Sequence, residues 1–220
     1  MSEIEVATDE KEESSDNKFY FEEDKIKIPS KRNGVTKTQA LKAVRTMIQW
    51  AGDDPDREGL VETPMRVVKS YLEFFKGYNV DPAMILNKSF SETEGYKDMI
   101  ILDKIRTESF CCHHLVPFIG ETSVGYIPNG KVCGISKLAR VVEAYSKRLQ
   151  IQEALCQQIC NCIFSTLSPL GCGVVISCGH QCLETRGIHK PGARMITSSM
   201  MGNFEDLEIQ KRFLARIGMG

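Results

Sequence analysis

All four histidines of this 220-residue chain fall in two short segments, and both segments are rich in thiols. The first is Cys111-Cys112-His113-His114. The second is Cys178-Gly179-His180-Gln181-Cys182, with His189 just beyond it. A fold that uses these groups together must carry two distant stretches to one point. Catalytic zinc commonly takes three ligands from Cys, His and carboxylates and keeps a fourth position open. Cys111 and His114 have C-x-x-H spacing, which lets one tight turn aim both side chains at a single ion. Cys182, delivered by folding, would complete a Cys2His set. Such a site lowers the pKa of bound water toward 7. His113 and His180 would then stand beside ligands as candidate general acids or bases.

Other arrangements are open at this level. A further Cys pair could close a purely structural zinc site. Cys112 could replace Cys111, although adjacent side chains point apart. A Cys beside a His could also serve as a nucleophile. His189 has no ligand partner at zinc spacing and reads as a polar surface or substrate-edge residue.

Composition sets the class. Hydrophobic residues at 42% and charged residues at 26% are ordinary for a soluble globular protein. A net charge of −1 gives no overall field for nucleic acid or an anionic membrane. No apolar run approaches the ~20 residues of a spanning helix. The stretch from Met1 to Asp24 is acidic and lacks the basic and apolar regions of a signal peptide. The expectation is a cytoplasmic protein with reduced thiols. Of the nine cysteines, Cys156, Cys160 and Cys162 lie in an apolar helical pattern and Cys133 and Cys172 in strand-like runs. Those five read as small core hydrophobes.

The pattern of periods predicts α+β. Residues 1–33 read as a flexible acidic extension. Helices are expected over Lys37 to Ala51 and from Thr63-Pro64 to a stop at Gly77. From Met99 the period shortens. Strands are expected over Met99 to Ile105, Ile119 to Ile127 and Val132 to Ile135, the last two joined through the Asn129-Gly130 turn. Ser136 reads as the cap of a helix, followed by a second helix over Ile151 to Leu167. Strands over Gly173 to Ser177 and Ala193 to Met200 and a helix over Phe204 to Ile217 close the chain. The sum is a mainly antiparallel sheet with helices on one face. The division expected is a 34–96 N-terminal helical region, formed as an antiparallel helical pair, and a 97–220 catalytic domain.

Charged groups gather around the two segments. Ser136, Lys137 and Arg140 open one helix, where backbone N–H groups already favour an anion. Arg186 and Lys190 follow the second segment. Together they suit a phosphorylated substrate. Glu153, in Gln150-Ile151-Gln152-Glu153, is suited to accept paired N–H donors, as on a guanine edge.

These segments resemble the GTP cyclohydrolase I family. The stretch Glu108 to Phe118 is similar to its zinc and histidine motif. Gly134-Ile135-Ser136-Lys137-Leu138-Ala139-Arg140 is similar to its G-[LI]-S-K-L-A-R motif, and Arg148 to Glu153 to its R-L-Q-x-Q-E motif. His180-x-Cys182 with Arg186-Gly187 resembles the segment bearing its last zinc ligand. Asp56 to Leu60 and Thr63-Pro64-x-Arg66 resemble its N-terminal signature. The likeness implies a tunnelling-fold (T-fold) homodecamer that hydrolyses GTP at C8. Formate would be released, and the remainder rearranged to 7,8-dihydroneopterin triphosphate for pterin synthesis. It implies zinc on Cys111, His114 and Cys182, and proton transfer by His113 and His180. It implies Glu153 on the guanine, Gln152 in contact with the substrate, Ser136 near the ribose, and Arg66, Lys137, Arg140 and Arg186 on the triphosphate. A feedback regulatory protein is a candidate partner; a nucleic acid or a membrane is not. A divergent paralogue that binds zinc and nucleotide without turnover is the alternative. The family usually has Glu where Cys112 stands and Met where Gln181 stands.

Overall fold

The computed structural model describes residues 27–87, 89–91 and 95–219. It divides into two compact units, one ending at Lys69 and one starting at Ser70. Most of the acidic extension lies outside the described residues. Its last part is ordered as a hairpin, with β1 (Lys31–Arg32) paired to β2 (Val35–Thr36). Asn33 and Gly34 between them have φ of 48° and 85°, the left-handed pair a tight hairpin demands.

Thr36 then caps α1 (Lys37–Trp50). Its hydroxyl accepts from the Gln39 N–H and the Gln39 side chain accepts from the Thr36 N–H, a closed capping box. The next helix is α2 (Thr63–Phe74), and Thr63-Pro64 opens it as expected. It stops three residues before Gly77. That glycine lies in a 3-10 turn over Lys76–Asn79, followed by α3 (Pro82–Leu86).

The larger unit is built on one five-stranded sheet in the order β7-β4-β5-β8-β9. These strands are β4 (Ile100–Cys111), β5 (Pro117–Ile127), β7 (Leu149–Gln150), β8 (Gly171–His180) and β9 (Arg194–Gly202). All pairs are antiparallel except β4 with β7. Helices α4 (Ile135–Ser146) and α5 (Gln152–Leu167) fill one face. There Val124, Tyr126, Val174 and Ile176 of the sheet meet Leu138, Val141, Leu155 and Ile159, all at most 1% exposed. Cys156, Cys160, Cys162, Cys133 and Cys172 are all buried in this core, as the apolar pattern implied. Burial pushes the Cys156 thiol up to about 12, so it stays protonated and inert.

The helices do not keep to one face. Val175, between Val174 and Ile176, points the other way. It packs with Phe204, Phe213 and Ile217 around α7 (Leu207–Arg216). Gly125 and Gly173 make room for that packing: a Cβ at either would lie within 3 Å of a Phe213 or Phe204 ring carbon. Asp98 ties down the helix, accepting from Arg212 (2.8 Å) and Arg216 (2.9 Å). The Arg216 bond, above all, holds the Asp98 carboxyl down to about 2. A depressed folded pKa gives stability that is present above the ordinary carboxylate value of ~4 and lost as pH falls toward 2. Asp98→Asn should therefore flatten the fall of the thermal midpoint between about pH 4 and pH 2.

Two local expectations are corrected. Asn129-Gly130 does turn, with Gly130 at φ 72°, but the chain does not fold back on β5. Instead β6 (Val132–Cys133) pairs with β3 (Ser89–Phe90). Ser136 is not the cap of α4. Gly134 occupies that position with no side-chain cap bond.

Gly77 has a different task from the one its position suggests. Its N–H donates to Lys147 O at 3.0 Å, and Arg148 Nε donates to its carbonyl at 3.1 Å. A Cβ there would lie 2.2 Å from Ala144 O and 2.8 Å from Lys147 O. Gly77→Ala should force the turn off the end of α4 at a cost of about 1–3 kcal/mol. A thermal midpoint lower by roughly 3–10 °C is the expected readout.

Candidate metal centre

The first His/Cys segment sits in the connection from β4 to β5. Cys111 ends β4, and its N–H donates to Val116 O at 2.9 Å. The turn is closed by Leu115 N–H on Cys111 O at 2.9 Å, with Leu115 at φ 55°. On its other side Cys111 pairs with Gln150 of β7, and Cys112 N–H donates to Gln150 O at 3.0 Å. The second segment arrives on β8. Phe118 lies directly opposite His180, and the chain turns at once into α6 (Gln181–Glu184), which carries Cys182. The start of α5 adds Gln152 and Glu153 at the same end of the sheet.

The ligand atoms of Cys111, His114 and Cys182 all lie within 4.8 Å of one another. Among the described residues, no other group of three or more His, Cys or carboxylate ligands converges. Cys111 Sγ is 3.7 Å from His114 Nδ1. Tetrahedral zinc with S and N ligands at about 2.3 and 2.1 Å separates them by about 3.6 Å, so the spacing fits. Cys111 is buried, whereas Cys112 is exposed and turned away, as adjacent residues must be. Cys178 is fully buried in the core, where burial pushes its thiol up to about 12. No further thiol closes the set.

The Cys182 thiol is costly to ionise where it stands. Burial, and then the neighbouring Cys111, push the Cys182 thiol up, and Arg186 pulls it back. A bound cation reverses this balance by stabilising both thiolates.

The two candidate proton carriers flank the candidate ligands. His113 Nδ1 lies 3.7 Å from Cys111 Sγ, and its ring is exposed. His180 stacks on Phe118 at 4.7 Å and 8°. Its Nε2 is 2.8 Å from Gln152 Oε1. Burial holds the His180 imidazole below its ordinary range, and Glu153 and Glu184 oppose that from nearby. Glu184 in turn accepts from the Gln181 amide at 3.3 Å and lies over Gly179, where a Cβ would meet its Oε1 at 2.6 Å.

The structure gathers Cys111, His113, His114, Glu153, His180, Cys182 and Arg186 at one end of the sheet. It does not bring Ser136, Lys137 and Arg140 there. Ser136 and Lys137 lie in the first turn of α4 and Arg140 one turn further on, while the other end of the helix leads into Arg148 and Gln150 beside Cys111. A 12-residue helix separates its ends by about 18 Å. Cys133, just before α4, donates its N–H to Tyr126 OH near the far end of β5. Arg66 lies in the smaller unit, where it pairs with Glu62 at 2.6 Å. His189 is exposed, as expected. Gln152, expected on the substrate, is 1% exposed with its amide engaged by the protein. Phe118 was not singled out by sequence. Its position opposite His180 depends on strand register, which no local motif carries.

The GTP cyclohydrolase I family profile matches residues 40–218. The chain is 46% identical over 196 residues to "GTP cyclohydrolase 1" of Hyphomonas neptunium, covering 89% of this chain and 92% of that one. It is 47% identical over 180 residues to the protein of that name from Maricaulis maris, covering 81% and 88%. A third, from Brucella abortus, is 42% identical over 210 residues and is covered to 99%. Similarity of that extent spans both segments of the metal centre and all the elements that carry them, and the chain belongs to the GTP cyclohydrolase I family.

Proposed function

We propose that this chain hydrolyses GTP at C8, releases formate and rearranges the remainder to 7,8-dihydroneopterin triphosphate, the opening step of pterin synthesis. The observation that carries the proposal is the convergence of Cys111, His114 and Cys182 beside His113 and His180. Cys111, His114 and Cys182 would hold zinc, which when bound makes water a competent nucleophile near pH 7. His113, exposed beside the ligands, would exchange protons with the opening imidazole ring. His180 would do so for the later rearrangement. Glu153 would accept the paired N–H donors of the guanine edge, and Arg186 would neutralise phosphate.

Ser136, Lys137, Arg140 and Arg66 would serve the ribose and triphosphate. The distance of the α4 start from the metal end supports supplying Ser136, Lys137 and Arg140 from a second copy. On this reading the enzyme is a homo-oligomer, a decamer of tunnelling-fold subunits, in the cytoplasm. A feedback regulatory protein would bind outside the site. None of the described helices is long and apolar enough to cross a membrane.

The test is incubation of the zinc-quantified oligomer with GTP, following formate and the fluorescent oxidised pterin. Stoichiometric zinc with GTP bound and no product would favour the non-catalytic paralogue instead.

A further inference from the structure

Gln152 opens α5 and is buried to 1% exposure. A buried amide must satisfy both of its ends. Its nitrogen lies 3.1 Å from Ile176 O, 2.9 Å from Met195 O and 3.2 Å from Thr197 Oγ1. Two of these partners are backbone carbonyls, which only accept. The opposite orientation would set the amide oxygen against both of them, so the nitrogen must stand there. Oε1 is then committed to the other side, where it meets His180 Nε2 at 2.8 Å. An amide oxygen cannot donate, so Nε2 must carry the proton of that bond. The stack on Phe118, at 8° between planes, fixes the remaining freedom of the ring.

We infer that Gln152 is a positioning residue that fixes His180 as its Nε2–H tautomer and leaves Nδ1 as the nitrogen that exchanges the substrate proton. Gln152 does not read the guanine. It reads two strands, through Ile176 of β8 and Met195 of β9, and transmits their positions to one imidazole. This inference rests on the proposed role of His180 in proton transfer, but the tautomer itself does not.

The experiment exploits the four histidines of the chain. Zinc-loaded oligomer labelled with 15N-histidine is examined by solid-state NMR, with His180 assigned by its absence in His180→Gln. The expected neutral form has a protonated Nε2 and a bare Nδ1. Gln152→Met, close in volume and with only a weak thioether acceptor in place of the amide oxygen, should admit the other tautomer. It should lower kcat about 10–100-fold with KM for GTP within ~2-fold. A wild-type His180 carrying its proton on Nδ1 overturns the inference, even if the variant fails to fold. So does a Gln152→Met enzyme with raised KM and unchanged kcat, the mark of direct substrate contact. Wild-type protein without GTP turnover would instead overturn the functional proposal and leave the tautomer to be decided by the spectrum.

Discussion

Cys182→Ser should leave the oligomer folded, strip it of zinc and reduce GTP turnover by more than about 100-fold. The bound follows from comparison: replacing partners one step outside a metal's ligands already costs about 10–100-fold. Cys182 is half-buried on a short helix at the edge of the main core, and serine is close to it in size, so its replacement disturbs little packing. Serine keeps the volume and removes the soft anionic donor. The remaining pair, Cys111 and His114, comes from a single turn and holds the ion at two points. Metal analysis should fall well below one zinc per chain while the thermal midpoint stays within a few degrees. Stoichiometric zinc in the variant would exclude Cys182 as a ligand.

His180→Ala is the second large effect, and it separates proton transfer from metal binding. A positioned acid or base contributes about 10²–10⁴-fold to a rate. His180 is not one of the three converging ligands, so zinc should remain at one per chain. The ring stacks on Phe118 and bonds Gln152, and its loss leaves a small void and an unpaired Oε1. The thermal midpoint should therefore drop modestly while kcat falls by about 10²–10⁴. Loss of zinc from this variant would move His180 into the ligand set.

Local chemistry made much of this legible. Thr63-Pro64 announced a helix start, and the C-x-x-H spacing announced a turn that brings Cys111 Sγ and His114 Nδ1 to 3.7 Å. The apolar spacing of Cys156 and Cys160 announced a core face. What stayed hidden depended on contacts between distant elements. Gly77 looked like a helix stop, but the backbone of α4 lies 2.2 Å from where its Cβ would be. Asn129-Gly130 looked like a two-strand hairpin, but β3 took the partner's place. Nothing local to Gln152 reveals that two carbonyls from separate strands engage its amide. The pairing of Phe118 with His180 needed the register of β5 on β8.

The length of α4 has a consequence for how such an enzyme fails. Its first turn carries one chemical set and its last turn abuts another, about 18 Å away. If one set is drawn from each of two neighbours, as proposed above, every chain would belong to two reaction centres at once. A single defective subunit would then silence two of them in different ways, through its own metal end and through the anion-binding end it would lend next door. Damage in a mixed ring would spread beyond its share of the subunits, and dilution to lone chains would extinguish turnover without unfolding anything.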